Sequence, residues 1–157
     1  MAAALREASF EVCGALSDGA ISWMCPLRYI EKRALPALEH GARDAGVQTP
    51  PLVAHVPIAL DVSRGEAHDR ARSLLAMYAR VPNYQRMFRD AGYDVSDGYG
   101  DDLLDDLVLC GSVEEVSAGL RRWHDAGVEV MAQPLIEPGD AAGLAATFGA
   151  LRRAAQP

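Results

Sequence analysis

The nine residues Leu52-Val53-Ala54-His55-Val56-Pro57-Ile58-Ala59-Leu60 decide the fold. They follow the turn-forming Gln48-Thr49-Pro50-Pro51 and carry no acidic or strongly basic side chain, which marks a buried strand. Side chains alternate across a strand, so Leu52, Ala54, Val56, Ile58 and Leu60 share one wholly apolar face. Val53, His55, Pro57 and Ala59 share the other. The apolar set suits a helix layer, which turns His55 toward the opposite side.

Towards the N-terminus, Pro26 opens a helix that reaches about Ala45 and stops at Gly46. Pro36 lies inside it and predicts a kink or a split. Before it, Ala20-Ile21-Ser22-Trp23 reads as a strand over 20–23. Leu5, Ala8, Val12 and Leu16 fall at helical spacing, which predicts a helix over residues 2–17 that ends at Asp18-Gly19.

The segment from Asp61 to Gly127 is long for one connection. It reads as a helix from Gly65 to Arg80, a break at Val81-Pro82, and a short helix around Tyr84–Ala91. A loop from Gly92 to Gly100 and a short helix from Asp101 to Leu109 complete a helical insertion over about 64–110. Ser112 and Glu115 form a capping box that starts a helix to about Ala126, which Gly127 ends. Val128–Gln133 is the third strand, and Asp140 caps a last helix that runs to about Ala155.

Strands that alternate with helices in this way lie parallel, joined by right-handed crossovers. A doubly wound open sheet and an arc of a (β/α)₈ barrel both satisfy the order. No G-x-G-x-x-G follows any strand, which weakens the dinucleotide-binding version. The 157 residues, 50% of them hydrophobic, suffice for one domain with a core. The net charge of −7 disfavours nucleic acid and anionic membrane surfaces as partners. Three dispersed cysteines without C-x-x-C spacing point to neither zinc nor disulfides and suit a reducing cytoplasm. The N-terminal run is broken by Arg6 and Glu7, unlike a signal peptide, and no apolar stretch is long enough to span a membrane.

Residues 11–26, EVCGALSDGAISWMCP, and 108–132, VLCGSVEEVSAGLRRWHDAGVEVMA, carry a family resemblance. The first is similar to the A-G-E-x-A-D-G element of luciferase-like monooxygenases. The second resembles that family's G-x-P-E-E-V-A helix and the strand that follows it. PPLVAHVPIAL and YARVPNYQRMFRDAGY, between them, look similar to members that use the deazaflavin coenzyme F-420. The resemblance implies a bacterial luciferase-like (β/α)₈ barrel of TIM type with the cofactor ring in its C-terminal mouth. On that count the chain starts in the fifth helix and supplies the sixth, seventh and eighth strands. It would be an incomplete barrel, since a whole one needs about 250 residues.

The implied activity is that of an oxidoreductase or monooxygenase using reduced coenzyme F-420 or FMN on a small organic substrate. The alternative is a non-catalytic ligand-binding or assembly module, or a truncated remnant. In either case a bare sheet face and open edges predict self-association or pairing with a separate N-terminal half.

Barrel chemistry gathers at the C-terminal ends of strands, here Ser22 to Cys25, Pro57 to Leu60 and Gln133 to Leu135. Trp23 can stack on a ring, while Ser22 and Gln133 can hydrogen-bond a ligand. His55 is the candidate acid or base. Cys25 precedes a helix start, where the dipole favours a thiolate. After the second strand, Arg80 and Arg86 suit an anionic group and Tyr84 a ring. Asp101, Asp102, Asp105 and Asp106 superficially resemble a cation site, but acids at a helix start complement its dipole, so no metal is expected. His40, His68 and His124 read as solvated helix-face residues.

Overall fold

The computed structural model of the chain describes residues 1–136 and 139–154. Five parallel strands form one sheet: β1 (Ala2–Ala3), β2 (Ala20–Trp23), β3 (Leu52–Leu60), β4 (Leu109–Gly111) and β5 (Val128–Pro134). Helix α1 (Glu7–Leu16) joins β1 to β2. Between β2 and β3 lie α2 (Leu27–Tyr29), a wide π turn (Ile30–Ala34) and α3 (Leu35–Ala45). The β3–β4 connection holds α4 (Arg64–Leu75), a 3₁₀ turn (Tyr78–Arg80), α5 (Pro82–Asp90) and α6 (Asp101–Leu107). Helix α7 (Val113–Asp125) precedes β5, and α8 (Ala141–Ala154) follows it.

The strands lie side by side in the order β1-β2-β3, with β5 on the far side of β3, all pointing one way. That order never reverses. Right-handed crossovers between neighbours then leave every helix on one face, which is the winding of a barrel wall; a doubly wound sheet would reverse it. Register confirms the two faces. Ala20, Leu52 and Val128 share one level, and Trp23, His55 and Met131 another. Leu52, Ala54, Val56 and Ile58 are buried beneath the helices, whereas Val53 and His55 stay half-buried.

The structure departs from the sequence reading in several places. Residues 2–17 are not one helix: Ala2–Ala3 pairs with Ala20–Ile21, and the helix begins at Glu7. The described chain therefore starts on a strand, before the first helix. Leu109–Gly111, assigned above to a helix end and a cap, forms β4 against Ile58–Leu60. Leu109 and Cys110 pair only where β2 has already stopped. The helix expected from Gly65 to Arg80 closes at Leu75, and a separate 3₁₀ turn holds Tyr78–Arg80. Pro57 and Ala59, on the face shared with His55, are buried. Val130 is level with Ala54 on the helix-covered face, so it does not line the open one. The expected end of the last helix at Ala155 lies outside the described residues.

Local chemistry accounts for the other elements. Pro36 is the second residue of α3, immediately after the π turn, whose extra width accommodates a ring with no N–H to offer. Gly46 ends α3 at φ 69°. Ser63 and Ser112 cap α4 and α7, each accepting a backbone N–H at 3.3 Å from the residue three positions on.

Pro57 stands in the middle of the central strand, where prolines are rare. The Ile58 carbonyl accepts a bond from Leu135 N on the β5 side, so Pro57 presents its backbone to the other side. There β2 ends level with His55, and β4 begins only at Ile58. The missing N–H falls in that gap.

Candidate functional site

The end of β2 sets the site. Trp23 is its last residue, and Met24 then turns left-handed at φ 57° while fully buried. Asp61 takes the same φ of 57° just past the end of β3. Non-glycine residues in this region cost about 1–2 kcal/mol each. Both strained residues sit at C-terminal strand ends, where barrel sites form.

Trp23 meets His55 edge to face, with ring centroids 5.8 Å apart. Tyr78, on the 3₁₀ turn, packs on Trp23 at 6.0 Å, and Tyr84 packs on Tyr78 at 5.1 Å. Phe88 and Tyr99 continue the run, spaced 6.3 and 5.7 Å. Tyr99 anchors it by donating its hydroxyl to the Leu75 carbonyl at 2.9 Å. Each such ring pair contributes about 0.5–1.5 kcal/mol beyond the area it buries. The insertion is thus stitched to the open sheet face through Trp23. Trp23 Nε1 is buried and has no hydrogen-bond partner among the described residues.

Tyr84 is half-buried, and burial pushes its hydroxyl up to about 12, with Cys25 and Tyr78 adding to the effect. It stays a neutral hydrogen-bond donor. Gln133, level with Pro57, lies on the Trp23 face two residues beyond Met131.

Other candidates fall elsewhere. Ser22 is level with Ala54 and buried on the helix-covered face, pointing away from Trp23. Cys25 is buried, and burial pushes its thiol up to about 12, only partly offset by the Ser22 hydroxyl. Burial thus opposes the thiolate expected at the helix start, because lost hydration outweighs the helix dipole. Arg80 is exposed and opens onto a separate groove of about 450 Å³ beside Arg72, Gln85, Ser96 and Asp97. Arg86 is exposed on α5.

The aspartates of α6 are held by cations. Arg64 donates to both carboxylate oxygens of Asp105 at 2.7 Å and reaches Asp101 at 3.4 Å. Arg72 also pairs with Asp101. Hydrogen bonds from Arg72 and His68 lower the Asp101 carboxyl, and those from Arg64 lower that of Asp105. Asp106 accepts the Tyr93 hydroxyl at 2.8 Å and Arg28 N at 3.1 Å. His68, read above as solvated, is 1% exposed, its ring nitrogens 3.4 Å from Asp101 and 3.2 Å from Asp105. Its charged sequence neighbours misled, because they face outward while His68 faces α6.

Sequence reasoning missed the joining of Tyr78 and Met131 to Trp23 and His55. No local signal gives it, since these residues meet only through strand register and the path of the insertion.

Among the described residues, no helix is long and apolar enough to cross a membrane. No curated protein matches the chain. Solved structures resemble it over most of its length. An F420-dependent secondary alcohol dehydrogenase, in complex with an F420-acetone adduct, matches with a TM-score of 0.66 at 15% identity. That match covers 85% of this chain and 42% of that one. The coenzyme F420-dependent tetrahydromethanopterin reductase of Methanopyrus kandleri matches at 0.63 and 16% identity, covering 84% and 43%. The oxygenating constituent of 3,6-diketocamphane monooxygenase of Pseudomonas putida, in complex with FMN, matches at 0.56 and 18%, covering 83% and 40%. The chain spans less than half of each, and the described strands are part of a barrel. The sequence profile of the luciferase-like monooxygenases matches residues 1–130, and the chain belongs to that family.

Proposed function

We propose that the chain is the C-terminal portion of a luciferase-like oxidoreductase or monooxygenase that uses reduced coenzyme F-420 or FMN on a small organic substrate. The observation that carries this reading is the cluster of Trp23, His55 and Met131 at one level of the open face, walled by Tyr78 and Tyr84. The cluster fits a planar, largely apolar ring: aromatic edges and a thioether line it, and the buried Trp23 N–H is unpartnered among the described residues. The three solved relatives, named for F420 or bound to FMN, support a cofactor of that class.

When bound, the cofactor supplies hydride transfer or, with FMN, oxygen chemistry. The chain's residues position and shield it. Trp23 and Tyr84 form the ring wall, with the Tyr84 hydroxyl held neutral as a donor. Gln133 offers an amide above Met131, and His55 is the group placed to hold or move a proton. Ser22 lies on the helix-covered face and Arg80 on the separate groove, so neither joins this wall.

We take the remainder of the wall to come from preceding barrel strands, in the same polypeptide or a separate N-terminal half, or from another copy of this chain. The three free cysteines suit a reducing compartment, which we take to be the cytoplasm. The open edge of β5 favours a second reading, a non-catalytic assembly module.

Titration of FMN and of coenzyme F-420 into the chain, alone and with a polypeptide carrying the preceding barrel strands, tests the proposal. Binding of either cofactor, weakened several-fold in Trp23→Ala, is expected. Failure of both to bind in both arms would leave the assembly module.

A further inference from the structure

We propose that the groove beside Arg80 is a second ligand site, which takes a small zwitterion: an amino acid with an apolar side chain. The site lies apart from the ring wall, and the inference does not rest on the cofactor reading.

The groove is built within one connection. Every residue that lines it falls between Arg72 and Tyr99, in the segment joining β3 to β4, so no sheet edge contributes. Its volume of about 450 Å³ is within the range of small-molecule sites, about 300–1,000 Å³. Ala76, Val95 and Tyr99 supply an apolar lining.

Charge carries the argument further. From Arg70 to Arg89 the sequence has five arginines and no acid, in a chain whose net charge is −7. Three of the five are committed. Arg70 pairs with Glu66, Arg72 pairs with Asp69 and Asp101, and Arg89 donates to the Gln85 carbonyl. Arg80 and Arg86 pair with no acid among the described residues, and of these two only Arg80 lines the groove. Asp97 lines it as well, exposed and without an ionic partner among the described residues. One groove therefore presents a cation and an anion that do not pair with each other.

A phosphate would meet repulsion from Asp97, and a simple amine would meet it from Arg80. A zwitterion satisfies both. Its carboxylate suits the planar Arg80 fork, and its ammonium suits the Asp97 carboxylate. The groove is also held in shape. Gln85 Nε2 donates to the Ala79 carbonyl at 2.8 Å, which pins the turn that carries Arg80. Arg72 Nε donates to the Tyr99 carbonyl at 3.3 Å and fixes another wall. A site formed before its ligand arrives costs less to occupy.

Calorimetric titration of the chain at neutral pH with L-leucine tests this, beside isocaproate, which lacks the ammonium, and isoamylamine, which lacks the carboxylate. Saturable binding of leucine is expected, with each half-molecule about tenfold weaker. Arg80→Gln should weaken leucine and isocaproate about tenfold and spare isoamylamine. Asp97→Asn should weaken leucine and isoamylamine and spare isocaproate. Arg86→Gln, outside the groove, should change nothing. All three residues are exposed, so the variants should keep the wild-type circular dichroism. Absence of saturable leucine binding overturns the proposal, and so does isocaproate or inorganic phosphate binding as tightly as leucine. An equal loss in Arg86→Gln also overturns it, since a diffuse positive field would then be responsible. No cofactor enters these titrations, so their failure leaves the oxidoreductase reading where FMN and F-420 binding puts it.

Discussion

Gly14 of α1 and Gly41 of α3 hold one helix crossing at backbone distance: a Cβ on Gly14 would strike the Leu38 carbonyl, and one on Gly41 that of Glu11. The obstacles are main chain, which cannot swing aside. Gly14→Ala or Gly41→Ala is therefore expected to cost about 3 kcal/mol by overpacking. Gly65, also helical, leaves open space where a methyl group would stand, so Gly65→Ala should gain about 0.5–1 kcal/mol. Urea denaturation of the three variants decides it, and equal midpoints would contradict the close crossing.

Two buried tyrosines differ in what their hydroxyls meet. Tyr29 Oη has no partner among the described residues, whereas Tyr99 donates to the Leu75 carbonyl at 2.9 Å. Tyr29→Phe should be neutral or stabilising, and Tyr99→Phe should cost about 1 kcal/mol. Thermal melts that reversed this order would show that Tyr29 is satisfied.

Asp101 and Asp105 are held below their ordinary value of 3.8 by hydrogen bonds from Arg72, Arg64 and His68. A carboxyl lowered in the fold binds fewer protons there than in the unfolded chain. Its contribution is complete above the ordinary value and is lost as pH falls through the lowered one. Asp105→Asn should therefore flatten the acid limb of the stability profile while leaving its slope near neutral pH unchanged. Because both carboxylates are about half exposed, the change should be modest. Urea midpoints taken from neutral pH down to about pH 3 provide the check.

Burial that raises Cys25 from 9.0 to about 12 cuts its thiolate fraction roughly a thousandfold at a given pH. With an aromatic disulfide reagent at mildly alkaline pH, Cys25 and the buried Cys13 should stay unlabelled in the folded chain. Half-buried Cys110 should react slowly, and denaturant should release all three. Rapid labelling of Cys25 would restore the reactive-thiol expectation.

In an assembled barrel, His55→Asn should lower turnover about 100-fold if the ring moves a proton. Its denaturation midpoint should shift little, since His55 is half-buried and its ring packs on Trp23 edge to face. Normal turnover at normal stability would retire His55 from the chemistry.

Much of the wall was legible from the chain alone. Residues 20–23, 52–60 and 128–133 announced their strands through apolar runs bounded by turns, and each is a strand. Parity within Leu52–Leu60 also placed His55 opposite the helices. The two strands that escaped notice are two and three residues long, too short for any period to register. The Ala-rich start misled because alanine suits a helix, while the backbone of Ala2 and Ala3 is claimed by β2. In the candidate site, parity could have separated Ser22 from Trp23, since adjacent strand residues cannot share a face. The meeting of Trp23 with Tyr78 and Tyr84 could not be read, because only the path of the insertion brings them together.

The gap in the wall beside Pro57 has a mechanical meaning. No backbone ladder ties β2 to β4 among the described residues, so the sheet on that flank is a seam above His55, over whose lower end Tyr78 of the insertion packs on Trp23. Below that level β2 and β3 share a ladder from Ala20–Leu52 to Trp23–His55, and above it only side chains fill the flank before β4 begins at Leu109. A sheet interrupted there bends most easily along that line, where side-chain packing stands in for backbone hydrogen bonds.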